Sequence, residues 1–133
     1  MHNFAYTHES RLHSLTGLSI NIKPIAVNQN IMHIGSTYHD FWADYLFSYK
    51  QMVAGYDTVN RWFKTSESWS KTTSRHINKY LKHIDKSKIK ILSQLEVDHL
   101  RSIEGIEHNL LEMAKKSDRQ KLAFDGKTNS HWA

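Results

Sequence analysis

Apolar and polar residues alternate at Leu18, Ile20 and Ile22, ahead of Pro24, a period-two pattern that predicts an extended arm or short strands within residues 1–35. Asn28-Gln29-Asn30 reads as a turn before Ile31 to Ile34, and Gly35 marks a break. The period then changes. Ser36-Thr37, with Asp40 three residues after Thr37, is a capping-box-like entry, and Trp42, Tyr45, Tyr49, Met52, Tyr56, Val59 and Phe63 follow in steps of three and four. Phe41, Leu46 and Val53 widen the stripe. This spacing predicts a helix with a buried aromatic face, and Gly55 is placed to end it early and open a second short segment.

Thr65-Ser66-Glu67-Ser68 is a polar break able to cap a second helix, in which Trp69, Thr73, Ile77, Tyr80, Leu81 and Ile84 share one side. Asp85-Lys86-Ser87-Lys88 reads as a turn. Ser93 and Glu96 have the spacing of an N-cap and its N3 partner, so a third helix is expected from about Gln94, with Leu95, Leu100 and Ile103 inward and Glu104-Gly105 at its end. A fourth would bury Ile106, Leu110, Leu111, Met113 and Ala114, and a polar tail or linker is expected over 117–133. The expected fold is therefore all-α. It is a small bundle of three or four helices over 36–116, with an extended N-terminal segment and a polar C-terminal tail.

Charge sharpens this picture. The net charge of +5 is concentrated between Arg61 and Lys90, where nine basic residues meet only Glu67 and Asp85, giving +7 and leaving −2 for the rest. From Ile91 to Ala114 a single base, Arg101, stands against five acids. Helical winding would gather Lys71, Arg75, Lys79, Lys82 and Lys86 into one stripe opposite the apolar side, interleaved with Thr72 and Asn78. Clustered cations are the footprint of a polyanion, since neutralising phosphates releases counterions.

The order of signals from Ser36 to Lys116 resembles the core-binding domain of phage-type tyrosine recombinases (integrases). Thr37-Tyr38, Phe41-Trp42 and Tyr45-Leu46 are similar to its opening helix. The run from Trp69-Ser70-Lys71 through Ile77, Leu81 and Ile84 resembles its second, and Lys88-Ile89 with Ile91 the link that follows. Glu96, Leu100, Ile103-Glu104 and Gly105 resemble its third helix and exit. The resemblance implies a SAM-like helical domain that grips double-stranded DNA at a recombination core site, for DNA integration. It also implies a separate catalytic domain with Arg, Lys, His-x-x-Arg and a Tyr nucleophile. His8-Glu9-Ser10-Arg11 spells the His-x-x-Arg motif, with His33 and Tyr38 beyond it, but on the wrong side of the helical region. No enzyme is expected.

Other chemistries find less support. There is no Cys, so thiol nucleophiles and Cys zinc sites are excluded. Glu96 with His99, and Glu104 with His108, are helix-face pairs without the further ligands a closed site needs, so no metal and no cofactor is expected. The five glycines are isolated, and no phosphate loop is formed. No membrane span or secretory leader is legible, which makes a cytoplasmic protein the expectation. The leading expectation is a DNA-binding module, monomeric alone, with Lys64, Lys71, Arg75, Lys79, Lys82 and Lys86 on phosphates and Thr72 and Asn78 near base edges. The rival is a helical structural protein that oligomerises, or coats a surface, through the aromatic stripe from Trp42 to Phe63.

Overall fold

The computed structural model describes residues 17–37 and 40–116. At its centre is a six-stranded sheet in the order β1-β2-β3-β4-β5-β6. β1 (Leu18–Ala26), β2 (Gln29–Ser36), β3 (Trp42–Ser48), β4 (Gln51–Asp57) and β5 (Arg61–Thr65) form an antiparallel meander. The chain then leaves through α1 (Lys71–Tyr80) and a 3-10 turn at Lys86–Lys88. It returns as β6 (Lys90–Leu92), parallel to β5. A parallel neighbour needs a crossover, and α1 supplies it. α2 (Gln94–Leu100) and α3, over 103–116, complete the described chain. Among the described residues no helix is long and apolar enough to cross a membrane.

The all-α bundle is thus overturned: the segment expected to open it, Trp42 to Phe63, is three strands. The steps of three and four mixed residues of both sheet faces and of a turn. Tyr45, Met52 and Phe63 enter one core, Trp42 and Tyr56 meet on the other face, and Tyr49 is exposed between β3 and β4. Within β3 the true period is two, with Ala43 and Tyr45 on one face and Asp44 and Leu46 on the other. Both faces are covered, so Leu46, Val53 and Ala54 are buried alongside Tyr45 and Met52, and the clean alternation of a half-buried strand is lost. A break of register between Leu46 and Phe47 shifts the phase once more. Aromatic and β-branched residues at these positions suit a pleated surface.

Tight turns make the meander. Asn28, at φ 58°, closes β1 on β2, and Tyr49, also at φ 58°, closes β3 on β4. The turn from β4 to β5 is organised by Asp57, whose fully buried carboxylate accepts from the backbone N–H groups of Val59 (2.9 Å) and Asn60 (2.5 Å). The Asn60 amide and the Tyr45 hydroxyl (2.8 Å) also donate to it. With four donor groups around it, the carboxylate is compensated for its burial.

The sheet carries a core on each side. One joins Ile34, Tyr45, Met52 and Phe63 to Val97 and Leu100 of α2 and to Ile106 and Leu110 of α3. The other joins Leu46, Val53 and Ala54 to Ile77 of α1 and to Leu81. Each Ile, Leu, Val, Met and Phe among them contributes about 1.5–3 kcal/mol by leaving water. Gly55 lies where the Tyr45 ring crosses β4, and a Cβ there would stand 2.6 Å from the Asp44 carbonyl oxygen and 2.9 Å from the Tyr45 ring.

α1 begins where Ser70 accepts from the Thr73 N–H, a few residues later than the Thr65–Ser68 break proposed as its cap. α2 has the full reciprocal box, Ser93 accepting from the Glu96 N–H and Glu96 from the Ser93 N–H. Leu95 and Ile103, expected inward, point to solvent; Leu95 is 81% exposed. Gly105 lies inside α3 rather than ending a helix, against the His99 carbonyl, where no side chain fits.

Candidate nucleic-acid interface

α1 packs on the sheet through a polar as well as an apolar seam. Ser48 Oγ, at the end of β3, lies 2.9 Å from Thr73 Oγ1 and shares a 2.7 Å hydrogen bond with His76 Nδ1. Thr73 and Ile77 are buried, and the remaining face is turned to water. On it Lys71, Thr72, Arg75, Asn78 and Lys79 are all exposed. Lys82 is exposed in the turn after the helix, and Lys86 in the 3-10 turn. Lys64 stands apart, half-buried on β5 beside Ile91 of β6. The expected stripe therefore forms along α1 for Lys71, Arg75 and Lys79, while Lys82 and Lys86 are exposed beyond the helix and Lys64 lies on the sheet.

No described carboxylate forms an ion pair with these cations; the ion pairs among described residues join His33 to Asp44 and Lys115 to Glu112. α1 holds no acid, whereas α2 and α3, on the opposite side of the sheet, carry Glu96, Asp98, Glu104, Glu107 and Glu112 against Lys115 and Lys116. The charge segregation along the sequence thus becomes a segregation across the sheet. Asp85, beyond α1, caps the 3-10 turn by accepting from the Ser87 N–H at 3.0 Å. That bond, with Lys88 nearby, holds its carboxyl below the usual range.

Beside α1, part of the same sheet face is left open, and aromatic rings cross it. His33 stacks near Trp42 (6.4 Å between centroids), Trp42 meets Tyr56 (5.0 Å), Tyr56 meets Trp62 (4.9 Å), and Trp62 meets Tyr80 of α1 (6.0 Å). Each ring comes from a different element, β2, β3, β4, β5 and α1 in turn. A cavity of about 520 Å³ opens over Tyr56 and Trp62, walled by Arg61, Lys88, Ile89 and Lys90. Arg61 Nη1 donates to the Tyr56 hydroxyl at 2.8 Å. Sequence reasoning missed this array because a helical reading scattered its members. The usable signal was the pairing that a short hairpin imposes, which sets Tyr56 opposite Trp62.

A larger cavity, about 670 Å³, lies on the acidic side between α2 and the β4–β5 turn, with Leu92, Leu95 and Leu100 as its apolar wall. No group of three or more His, Asp or Glu that could hold a metal is found among the described residues, and the Glu96–His99 and Glu104–His108 pairs gain no further ligand there. The His8-to-Arg11 motif, Tyr38 and the tail at 117–133 lie outside the described residues. His33, noted with that motif, donates from Nδ1 to the Asp44 carboxylate at 2.7 Å on the sheet surface.

The helical order that resembled integrase core-binding domains is replaced by the sheet, and integration and recombination lose the argument that introduced them. The aromatic helix of the rival reading is gone too, its rings divided between two faces of β3, β4 and β5. Comparisons with curated proteins and with solved structures find no match. A family model described as a family of unknown function, DUF8033, matches residues 13–99, which span β1 through most of α2, and the chain belongs to that family.

Proposed function

We propose that the protein is a non-catalytic DNA-binding module that lays the exposed face of α1 on the phosphates of a duplex. The carrying observation is the clustering of Lys71, Arg75 and Lys79 on the solvent side of one helix, with no described carboxylate paired to them. At about 1.5 Å of rise per residue Lys71 and Lys79 stand about 12 Å apart along the axis, a length comparable with the width of a major groove. Thr72 and Asn78, exposed between the cations, offer hydroxyl and amide groups to phosphates and base edges. The acids of α2 and α3 favour approach from the α1 side, because a polyanion is repelled from the other. On this reading the protein is a monomer away from DNA and needs neither metal nor cofactor.

Fluorescence anisotropy with a mixed-sequence duplex, titrated over a range of salt, tests it. Affinity should fall steeply with salt, and Lys71→Ala should lower the slope of log K against log salt by about one unit. A salt-independent affinity, or a Lys71→Glu/Arg75→Glu double variant that binds like the parent, would show that α1 is not the contact.

A further inference from the structure

We propose that the open aromatic face beside α1 is a stacking site for unpaired bases of single-stranded nucleic acid, with Arg61, Lys88 and Lys90 on its phosphates. This goes beyond duplex binding by α1 and stands on other residues. Three observations converge on it. The first is the row of rings from His33 through Trp42, Tyr56 and Trp62 to Tyr80, with Trp42, next to its His33 end, 43% exposed. Flat faces left in water are what a base uses, since every base has a π-face whatever its sequence.

The second is charge. The cavity over Tyr56 and Trp62 is walled by Arg61, Lys88 and Lys90, and no carboxylate lines it. Two acids lie in register with its lining residues: Asp44, opposite Tyr56, is engaged by His33, and Asp57, opposite Arg61, is buried among its own donors. A neutral ring ligand such as a sugar would gain little from three cations, whereas a nucleotide strand brings a phosphate with each base.

The third is the backbone at Arg61. It has φ 64°, the left-handed conformation that glycine adopts most easily, at the residue that follows the turn from β4 to β5. A long charged side chain there is unfavourable for the turn. Its guanidinium is held by Tyr56 Oη at 2.8 Å, at the mouth of the cavity, so the strained position aims a phosphate-binding group at the rings. The half-buried Trp62 and Tyr56 serve as the floor, and Trp42 as the next step for a neighbouring base.

Binding of a fluorescent oligo-dT strand to the full chain tests this, alongside a duplex of mixed sequence. Trp42→Ala should weaken oligo-dT binding about ten-fold, the usual loss for one stacked base. Arg61→Gly should weaken it too while leaving the melting temperature equal or higher, because glycine relieves the turn. Intrinsic tryptophan fluorescence should be quenched on saturation. Circular dichroism and thermal melting establish that Trp42→Ala remains folded, and Arg61→Gly gives an independent reading should it not. If oligo-dT binds Trp42→Ala and Arg61→Gly as it binds the parent, or if no quenching accompanies binding, the stacking site is refuted. Loss of duplex binding alone in the Lys71→Glu/Arg75→Glu variant would support α1 as the duplex contact and leave the two sites separate. Loss of oligo-dT binding in that variant, with Trp42→Ala unaffected, would assign the single strand to α1 and overturn the proposal.

Discussion

Raising the pH should destabilise this protein in a way that traces to Tyr45. Its hydroxyl is buried in the core and donates to the buried carboxylate of Asp57 at 2.8 Å. Burial first, and the Asp57 charge and hydrogen bond second, push the phenol above its ordinary value near 10. In the unfolded chain Tyr45 loses its proton through pH 10, while in the folded chain it keeps it. The folded state then holds more protons, so stability falls as pH rises and is untouched below about pH 9. One such group contributes a slope of about 0.7 kcal/mol per pH unit at pH 10, rising to about 1.4 well above it. Tyr80 is raised as well, by burial and by Asp44, but it is only half-buried and its hydroxyl reaches the Asp44 carbonyl at a long 3.4 Å, so its share is smaller. Between pH 10 and pH 11 Tyr45 alone should remove about 1 kcal/mol, with a smaller loss added by Tyr80. Urea unfolding followed by circular dichroism at pH 8, 9, 10, 10.5 and 11 measures the loss. Tyr45→Phe should start less stable at pH 8 by about 1–2 kcal/mol, because Asp57 loses a buried donor, yet show a shallower decline above pH 10. Because other groups titrate in both proteins, the difference between the two curves is the decisive quantity. If parent and Tyr45→Phe decline in parallel, the buried phenol is not what links pH to folding.

Three further outcomes follow from the geometry. Gly55→Ala should cost about 2–4 kcal/mol in chemical denaturation, since its Cβ meets backbone as well as the Tyr45 ring and neither yields cheaply. Ser93→Ala should cost about 1 kcal/mol by opening the reciprocal cap of α2, with Ser93→Asp recovering most of it. Ser48→Ala should loosen α1 from β3, leaving Thr73 and His76 without their shared partner, and raise amide exchange along α1 by about ten-fold, equivalent to ~1.4 kcal/mol.

What could be read from the chain was whatever is encoded locally. Leu18, Ile20 and Ile22 announced an extended segment because β1 has water on both sides along most of its length and its alternation is not disturbed by packing. Ser93 and Glu96 announced α2 because a cap needs only residues three apart. The stripe of Lys71, Arg75 and Lys79 was legible for the same reason, although the start of α1 was misplaced by the polar run at Thr65 to Ser68. The region from Phe41 to Phe63 was illegible as strands. Burial on both faces removed the period-two signal, and the turns at Tyr49 and at Thr58 to Asn60 lack the Gly that usually declares a hairpin. The ring array could not be found without register, because Trp42 and Tyr56 become neighbours only across paired strands.

The return of β6 through α1 also sets an order of assembly. β1 to β5 follow one another closely in the chain and can zip together hairpin by hairpin, on the microsecond scale typical of such elements. β6 has three residues and pairs with β5 across the α1 crossover, so its ladder is expected to share the lifetime of the helix. Amides of Ile91 and Leu92 are then expected to exchange with solvent in step with those of α1. A polymer held along that helix would slow both, carrying the mark of an encounter on the outer surface into the last strand of the sheet.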